Sequence, residues 1–505
     1  MKILTAAQIR EIDRLSTEEY GIPSVLLMEN AGMRVMEALE ERFEDLDSLT
    51  IAILCGKGNN GGDGFVVARQ LLQKGCYPFV FFLGDSKDVQ GDALVNMKIL
   101  EGMGAPPTII ATEEDWMQER LEIVDADIVV DAIFGTGLTK PVDGLHRRVI
   151  ESLEEEFLNA TIVSIDVPSG LPADSAHPLG PAVHADVTVT FTALKPCLVL
   201  PPNHKHAGDV IVADIGNPDE LLEDDQFQLN LITFDSFPSA HHRRLENSNK
   251  GDYGKVLVIG GSHGKAGAAA MAGQAALRSG AGLVTVATTE SALPMVAMTM
   301  PELMTEPLQE PIEKLMEGKT ILAIGPGLGT HPDTKALVRA VVRNAKIPVV
   351  VDADGLNAFA GVADELANGI VITPHPGEMA RLIGKDVEHV QMYRLDVARE
   401  FATSHNVYVV LKGFRSVIAT PDGAVFINPT GNPGMATAGA GDILTGMIAG
   451  ILGQEHLGSF IERLCLAVYL HGLAGDLCAE EIGEEAMVAT DILQFLGGAW
   501  KELRE

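Results

Sequence analysis

The chain has no closely spaced pair of cysteines. Its five, Cys55, Cys76, Cys197, Cys465 and Cys478, are scattered and odd in number, which argues against a disulfide framework or a zinc knuckle and fits a reducing compartment. Basic residues are also scarce. Lys and Arg number 37 against 70 Asp and Glu, a net charge of -33, so the surface repels nucleic acid and anionic membranes. An anionic substrate must therefore be received by backbone amides and single lysines. Long apolar runs are missing too: even the alanine-rich stretch at 268–276 ends at Arg278, short of the roughly 18 residues a membrane helix needs. The opening MKILTAAQIREIDRLSTEEYGIP carries charges throughout and lacks the apolar core of a signal peptide. These absences predict a cytoplasmic protein that binds neither nucleic acid nor membrane.

At 505 residues the chain exceeds what one core supports, and 46% hydrophobic residues supply material for two. Residues 5–43 alternate apolar and charged positions at helical spacing, predicting two helices around Gly21-Ile22-Pro23. Short apolar runs come next at 50–55, 78–83, 128–132, 161–166 and 187–191, separated by helical stretches such as 65–74, and 208–215 reads as a last strand. Such alternation predicts a parallel sheet covered on both faces. Residues 216–250 turn acidic and polar and read as a linker, with a short strand at 230–234 belonging to the second half of the chain. A second series at 255–260, 283–287, 320–325, 348–352, 370–373, 407–411 and 416–420 predicts a second α/β domain.

The run GNPGMATAGAGDILTG, residues 431–446, packs glycines and alanines before one carboxylate and then opens an apolar helix. Small residues let backbone N–H groups close around phosphate oxygens at a helix N-terminus. Asp442 stands where it can deprotonate an acceptor hydroxyl beside that phosphate. A tight loop before a core helix would explain one or two glycines, but not the whole string with its lone charge. Lys412 and Arg415, in the turn after the run at 407–411, add cations that neutralise phosphate oxygens during transfer; the bland alternative for them is a solvated basic turn.

In the first half, the run ending at Cys55 passes into GKGNNGGDG, residues 56–64, before a helix expected to open near Phe65. Strand, glycine turn and helix let a pyrophosphate approach the backbone. Asn59, Asn60 and Asp63 add side-chain oxygens suited to ribose hydroxyls or a hard cation. Further strand ends bring Asp131 with the loop GTGLTKP at 135–141, and Asp166-Val167-Pro168-Ser169-Gly170. Either aspartate alone could be a strand-end cap; three polar strand ends at one sheet edge argue for a site.

Asn59-Asn60-Gly61-Gly62-Asp63, the 135–141 loop and Asp166-Val167-Pro168-Ser169-Gly170 resemble the NAD(P)H-hydrate epimerase domain, the YjeF N-terminal family, over nearly all of residues 1–217. The resemblance implies that the damaged nicotinamide nucleotide is held by Asn59, Asn60, Gly61, Gly62, Asp63, Gly135, Thr136, Gly137, Leu138, Thr139, Lys140, Pro141 and Asp166. It also implies a potassium ion on Asn60, Asp131 and Ser169, a donor set without His or Cys that suits this ion. The implied reaction interconverts the R and S hydrates at nicotinamide C6, with Asp166 the candidate to move a proton to and from the leaving hydroxyl. One position departs from the family: after Lys195-Pro196, where glycine is common, this chain has Cys197.

The ending GAGD resembles ribokinase-like enzymes, whose loop forms an anion hole and whose aspartate is the base. A longer set, Gly260-Gly261-Ser262, 325–329, His375-Pro376-Gly377-Glu378, Lys412-Gly413 and Met435-Ala436-Thr437, resembles ADP- or ATP-dependent NAD(P)H-hydrate dehydratase from about residue 230 to the C-terminus. His375 and Glu378 could suggest a metal pair, but flanking prolines and no third ligand favour a positioned substrate contact. By resemblance, Ala268, Gly327, His375 and Asp442 bind the hydrate. ADP falls to Lys412, Gly413, Phe414, Arg415 and Ser416, and to Asn432, Pro433, Gly434, Met435, Ala436, Thr437, Ala438, Gly439, Ala440 and Gly441, with Mg2+ as companion. Many relatives carry threonine or serine where this chain has Ala440, so a hydroxyl contact is lost there.

The expected architecture is α/β: a Rossmann-like three-layer sheet domain at 1–222 carrying the epimerase, and a ribokinase-like α/β domain at 228–505 carrying the dehydratase. Asp442 would deprotonate the C6 hydroxyl of the S hydrate, NADHX or NADPHX, which takes a phosphoryl group from ADP and then loses phosphate. The family tends toward homo-oligomers. Two rivals stand beside this expectation: a ribokinase-like small-molecule kinase with a nucleotide-binding module in front, and an N-terminal half that binds without turnover.

Overall fold

The computed structural model describes residues 1–224, 226–242, 244 and 246–504. Asp225 and Arg243, in the segment read as a linker, lie outside the described residues, as do Leu245 and Glu505. The chain divides into two compact units, Lys2–Phe227 and, apart from Met1, Gln228 onward.

In the first unit the apolar runs become β1 (Ile51–Cys55), β2 (Phe79–Leu83), β3 (Thr108–Ile110), β4 (Ile128–Ala132), β5 (Thr161–Ile165), β6 (Val187–Phe191) and β7 (Asp209–Ala213). They form one parallel sheet of order β3-β2-β1-β4-β5-β6-β7. Alternate residues serve opposite faces, so Ile53 and Val130 pack in one core while Ala52, Leu54 and Val129 pack in the other. The edge strand β3 was not expected; it is three residues long and half exposed. The two first helices, Ala6–Glu18 and Ser24–Arg42, are as predicted, the former opened by a Thr5–Gln8 capping box.

The helix expected from Phe65 begins at Asn59 and runs to Gln73. Asparagines and glycines are poor helix formers, yet tertiary packing holds them here. A methyl on Gly61 would sit 1.8 Å from the Gly56 carbonyl oxygen, on Gly62 2.7 Å from the Met28 side chain, and on Gly64 2.7 Å from Ala132. Only bare backbone fits between the neighbouring helices and strands.

The second unit holds β8 (Leu229–Leu231), β9 (Lys255–Ile259), β10 (Leu283–Thr288), β11 (Met304–Pro307), β12 (Ile321–Ile324), β13 (Val349–Val351), β14 (Val371–Ile372), β15 (Tyr408–Leu411), β16 (Val417–Ala419) and β17 (Val425–Ile427). Their order is β11-β10-β9-β12-β13-β14-β15-β16-β17-β8, with β16 antiparallel to both its neighbours. β11, β17 and the β16–β17 hairpin were not expected, and the strand read at 230–234 is Leu229–Leu231, ending before a 3-10 turn at Phe234–Ser236. The small-residue helix Ala266–Arg278 lies against the Ala440–Leu452 helix so closely that a methyl on Gly446 would stand 2.0 Å from the Ala272 carbonyl oxygen. Each sheet reverses strand order next to its first long strand, at β1/β4 and at β9/β12, and a crevice opens at such points. Among the described residues no helix is long and apolar enough to cross a membrane.

Candidate active sites

At the switch point of the first sheet lies a cavity of about 600 Å³. Gly58, Asn59, Asn60 and Asp63 line it from one helix start, Gly135, Thr136, Gly137, Leu138, Thr139 and Lys140 from the loop after β4, and Asp166 from the end of β5. Gly58 supplies no side-chain cap, which leaves first-turn amides for an outside acceptor. Gly61, Gly62 and Pro141 do not line this cavity; the two glycines serve the close helix packing instead.

Asp131 and Ser169 are wholly buried and bond each other instead of facing the cavity. Asp131 accepts from the Ser169 hydroxyl at 2.5 Å and amide at 2.8 Å, and from the Ser164 hydroxyl at 2.8 Å. Ser169 in turn accepts the Phe134 amide at 2.8 Å, so the turn after β5 pins the loop after β4. Burial pushes the Asp131 carboxyl up, while these neutral donors pull it back. Gly135 lies where a methyl would be 3.1 Å from Asn60 Oδ1 and 3.2 Å from Asp166 Oδ2. The Asn60 amide nitrogen is buried without a hydrogen-bond partner.

Asp166 adopts left-handed backbone, with φ of 65°, a strained conformation for a non-glycine residue. Its amide donates to Val189 at 2.8 Å. The fully buried Lys195 donates to Asp166 Oδ1 at 2.5 Å, to Thr190 Oγ1 at 2.8 Å and to the Phe191 carbonyl at 2.8 Å. Asp63 and Asp13 face the same cavity. Burial first, then repulsion from Asp166 and Asp13, lifts the Asp63 carboxyl well above its usual range; burial likewise lifts Asp13. Asp13 belongs to no sequence motif; it is a single acid beside Ile12, a buried position of the first helix. Cys197 is buried in a small apolar cluster with Val167 and Leu171, and its amide donates to Ala173 at 3.0 Å.

In the second unit two cavities flank the first turn of the Ala440–Leu452 helix. One, of about 380 Å³, is lined by Ala268, Gly327, Asp354, Glu378 and Asp442 among others. The other, of about 690 Å³, is lined by His375, Lys412, Gly413, Phe414, Arg415, Ser416, Asn432, Pro433, Met435, Ala436, Thr437, Ala440 and Gly441. Thus Ala268, Gly327 and Asp442 come together, while His375 falls in the neighbouring cavity. Gly434, Ala438 and Gly439 line neither. Gly439 has φ of 98° and no side-chain cap to offer, so it shapes the turn and leaves the first amides of the helix to an outside anion.

Asp442 is pushed up to about 6, by burial first and then by the negative charges of Asp352 and Asp354 against the pull of Lys412. Burial opposes the charge of Lys412, but Asp352 and Glu378 outweigh it and raise the ammonium's pKa. Lys412 Nζ is 2.6 Å from Asp352 Oδ1 and 3.9 Å from Glu378 Oε2. His375 and Glu378 form the capping box of the Pro376–Ile383 helix: His375 Nδ1 accepts the Gly377 and Glu378 amides at 3.0 and 3.3 Å, and Glu378 accepts the His375 amide at 2.8 Å.

The Phe460–Ile482 helix, unassigned from sequence, contributes Val468, His471 and Gly472 to the larger cavity. Its His471 Nε2 lies 3.1 Å from the Ala440 carbonyl, Tyr469 O accepts Thr430 Oγ1 at 2.9 Å, and Asp476 accepts the Gly431 amide at 2.8 Å and Asn432 Nδ2 at 3.0 Å.

Two family models match the chain: a YjeF-related protein N-terminus over residues 24–197 and an NAD(P)H-hydrate dehydratase over residues 256–497. The bifunctional NAD(P)H-hydrate repair enzyme of Moorella thermoacetica is 43% identical over 521 residues, covering 100% of this chain and 98% of the relative. Among solved structures, a ribokinase-like superfamily protein from Enterococcus faecalis aligns with a TM-score of 0.50 and 30% identity, over 55% of this chain and 98% of its own. An ADP/ATP-dependent NAD(P)H-hydrate dehydratase from Bacillus subtilis, co-crystallised with ATP/Mg2+, aligns with a TM-score of 0.48 and 32% identity, over 54% of this chain and 98% of its own.

Proposed function

This chain belongs to the bifunctional NAD(P)H-hydrate repair enzymes, which join an epimerase to an ADP/ATP-dependent dehydratase, and from that premise we propose how its residues divide the work. Residues 1–222 carry the epimerase and 228–505 the dehydratase. The hydrated ring of the S epimer occupies the cavity of about 380 Å³ beside Ala268 and Gly327, and ADP the cavity of about 690 Å³. The helix start between them supports this division, because it offers Ala440 and Gly441 to one cavity and Asp442 to the other.

Asp442 takes the proton of the C6 hydroxyl; a pKa of about 6 leaves it ionised at neutral pH yet basic enough to act. The oxygen bonds to the terminal phosphorus of ADP as the bond to AMP breaks. Lys412 and the first amides of the helix balance the charge on the transferred group. The ring nitrogen lone pair then expels inorganic phosphate, and loss of a proton from the adjacent ring carbon restores the reduced nicotinamide. ADP is assigned as donor by resemblance to the fused members of the family. Magnesium would be held chiefly by the nucleotide's own phosphates and by water; among the described residues no cluster of three or more ligating side chains offers a protein cage for it.

In the epimerase, Asp166, held by Lys195, moves the proton to and from the C6 hydroxyl. Potassium fits the all-oxygen set of Asn60, Asp131 and Ser169, because Asp131 is a buried carboxylate whose hydrogen-bond donors are neutral. There it would supply a fixed positive charge beneath the substrate loops. Residence in the cytoplasm as a homo-oligomer belongs to the same reading.

The test mixes R and S hydrates with ADP, Mg2+ and K+ and follows the absorbance of the reduced nicotinamide. Asp442→Asn should bind ADP but restore no absorbance. Near-normal turnover in that variant would remove Asp442 from the reaction.

A further inference from the structure

Asp352 is one of the most deeply buried charged groups of the second unit, 1% exposed, and it touches neither cavity. It follows β13 directly, and its two carboxylate oxygens hold different elements. Oδ1 receives the Lys412 ammonium at 2.6 Å, from the turn after β15. Oδ2 receives the Thr445 hydroxyl at 2.7 Å, on the Ala440–Leu452 helix. Thr445 lies three residues after Asp442, about one helical turn, on a neighbouring face. Gly441 completes the contact: a methyl there would be 3.2 Å from Lys412 Nζ, so the bare glycine lets the ammonium lie against the helix start.

We propose that Asp352 is the positioning residue of the dehydratase, gripping Lys412 with one oxygen and the turn that carries Asp442 with the other, so that the lysine is held beside the base without pairing with it. The inference rests on the reading of Asp442 as base. A lysine free to swing would form its ion pair with Asp442 and make that carboxylate a poor proton acceptor. With Asp352 in place, the ammonium is already satisfied and stays directed at the transferred phosphoryl group. The other charged groups around the pair are Asp354 beyond β13 with its partner Lys265, Glu378 and His375 on the Pro376–Ile383 helix, and His471 on the Phe460–Ile482 helix. None of them bonds both Lys412 and the Ala440–Leu452 helix.

The pH dependence of kcat/KM for the S hydrate, measured on the full chain with saturating ADP, tests this. The unsubstituted enzyme should lose activity below about pH 6. In Asp352→Asn the repulsion of Asp442 by Asp352 is lost and the lysine turns to Asp442; both move the acid limb down, by about one unit, while loss of the lysine's position is what should drop the plateau by roughly ten- to a hundredfold. Thr445→Val keeps the charge and loses the tether: kcat should fall with KM and the acid limb unchanged, and Thr445→Ser should restore it. An unchanged limb and plateau in an Asp352→Asn protein that still binds ADP overturns the inference and leaves Asp442 as base. If Asp352→Asn fails to bind ADP, Thr445→Val decides, and an unchanged kcat there overturns it. A flat profile down to pH 5 in the unsubstituted enzyme overturns the base assignment itself and this inference with it.

Discussion

Gly446→Ala pits helix propensity against packing. In an isolated helix the change stabilises by about 1 kcal/mol. Here the new methyl would stand 2.0 Å from the Ala272 carbonyl oxygen, 2.7 Å from its carbon and 2.8 Å from Ala275 Cβ. Restoring a contact distance of about 3.5 Å requires the two helices to part by about 1 Å or more. The obstacle is backbone, which cannot rotate away, so the upper end of the overpacking range applies, about 3 kcal/mol. Net destabilisation is then about 2 kcal/mol, or a melting temperature roughly 4–8 °C lower for a unit of this size. Gly497→Ala is the control. It lies in the Ala489–Glu502 helix with nothing within 4 Å of the added methyl, so it should melt roughly 2–4 °C higher. Calorimetry with and without ADP identifies the second unit's transition as the one ADP raises. Gly446→Ala should also lower dehydration, since Asp442 lies one turn ahead of it. A Gly446→Ala protein melting at or above the unsubstituted one, or a Gly497→Ala protein melting below it, would refute the steric reasoning.

The Asp442 carboxyl is raised in the folded state to about 6, so stability is lost as pH rises from about 4 through about 6 and stays lost above that; Asp442→Asn should melt higher at pH 8, and the gap should close as pH falls below 4, by thermal scans at each pH. Lys195→Met should abolish epimerisation while leaving dehydration of pure S hydrate intact, checked by assaying each epimer separately. Replacing K+ with a large organic cation should slow epimerisation but not ADP-dependent dehydration, and Ser169→Ala should weaken the dependence on K+ in a salt titration.

Much of the fold was legible because fully buried parallel strands write themselves as unbroken apolar runs, as in Ile51–Cys55 and Ile321–Ile324. Short edge elements do not: Thr108–Ile110 and Met304–Pro307 are partly exposed and lack such a run. The β16–β17 hairpin did carry a turn signal, Thr420-Pro421-Asp422-Gly423, which the parallel pattern of the preceding strands masked. The helix expected from Phe65 was legible but its first turns from Asn59 were not, because the glycines there are set by neighbours distant in sequence and not by propensity. For the sites, contiguous motifs near 59, 135 and 432 were readable. Asp13, His471 and Asp476 were not, since each sits alone on a long helix and acquires its partner only through the tertiary fold.

One helix, Phe460–Ile482, grips the loop around ADP's proposed berth near both ends, through Asp476 at Gly431 and His471 at Ala440. The loop is tied to this helix at two points. It opens as a piece with its anchor, so amide hydrogen exchange in the loop and in that helix should slow in step when nucleotide arrives, and mutations far down the helix should alter how fast AMP escapes.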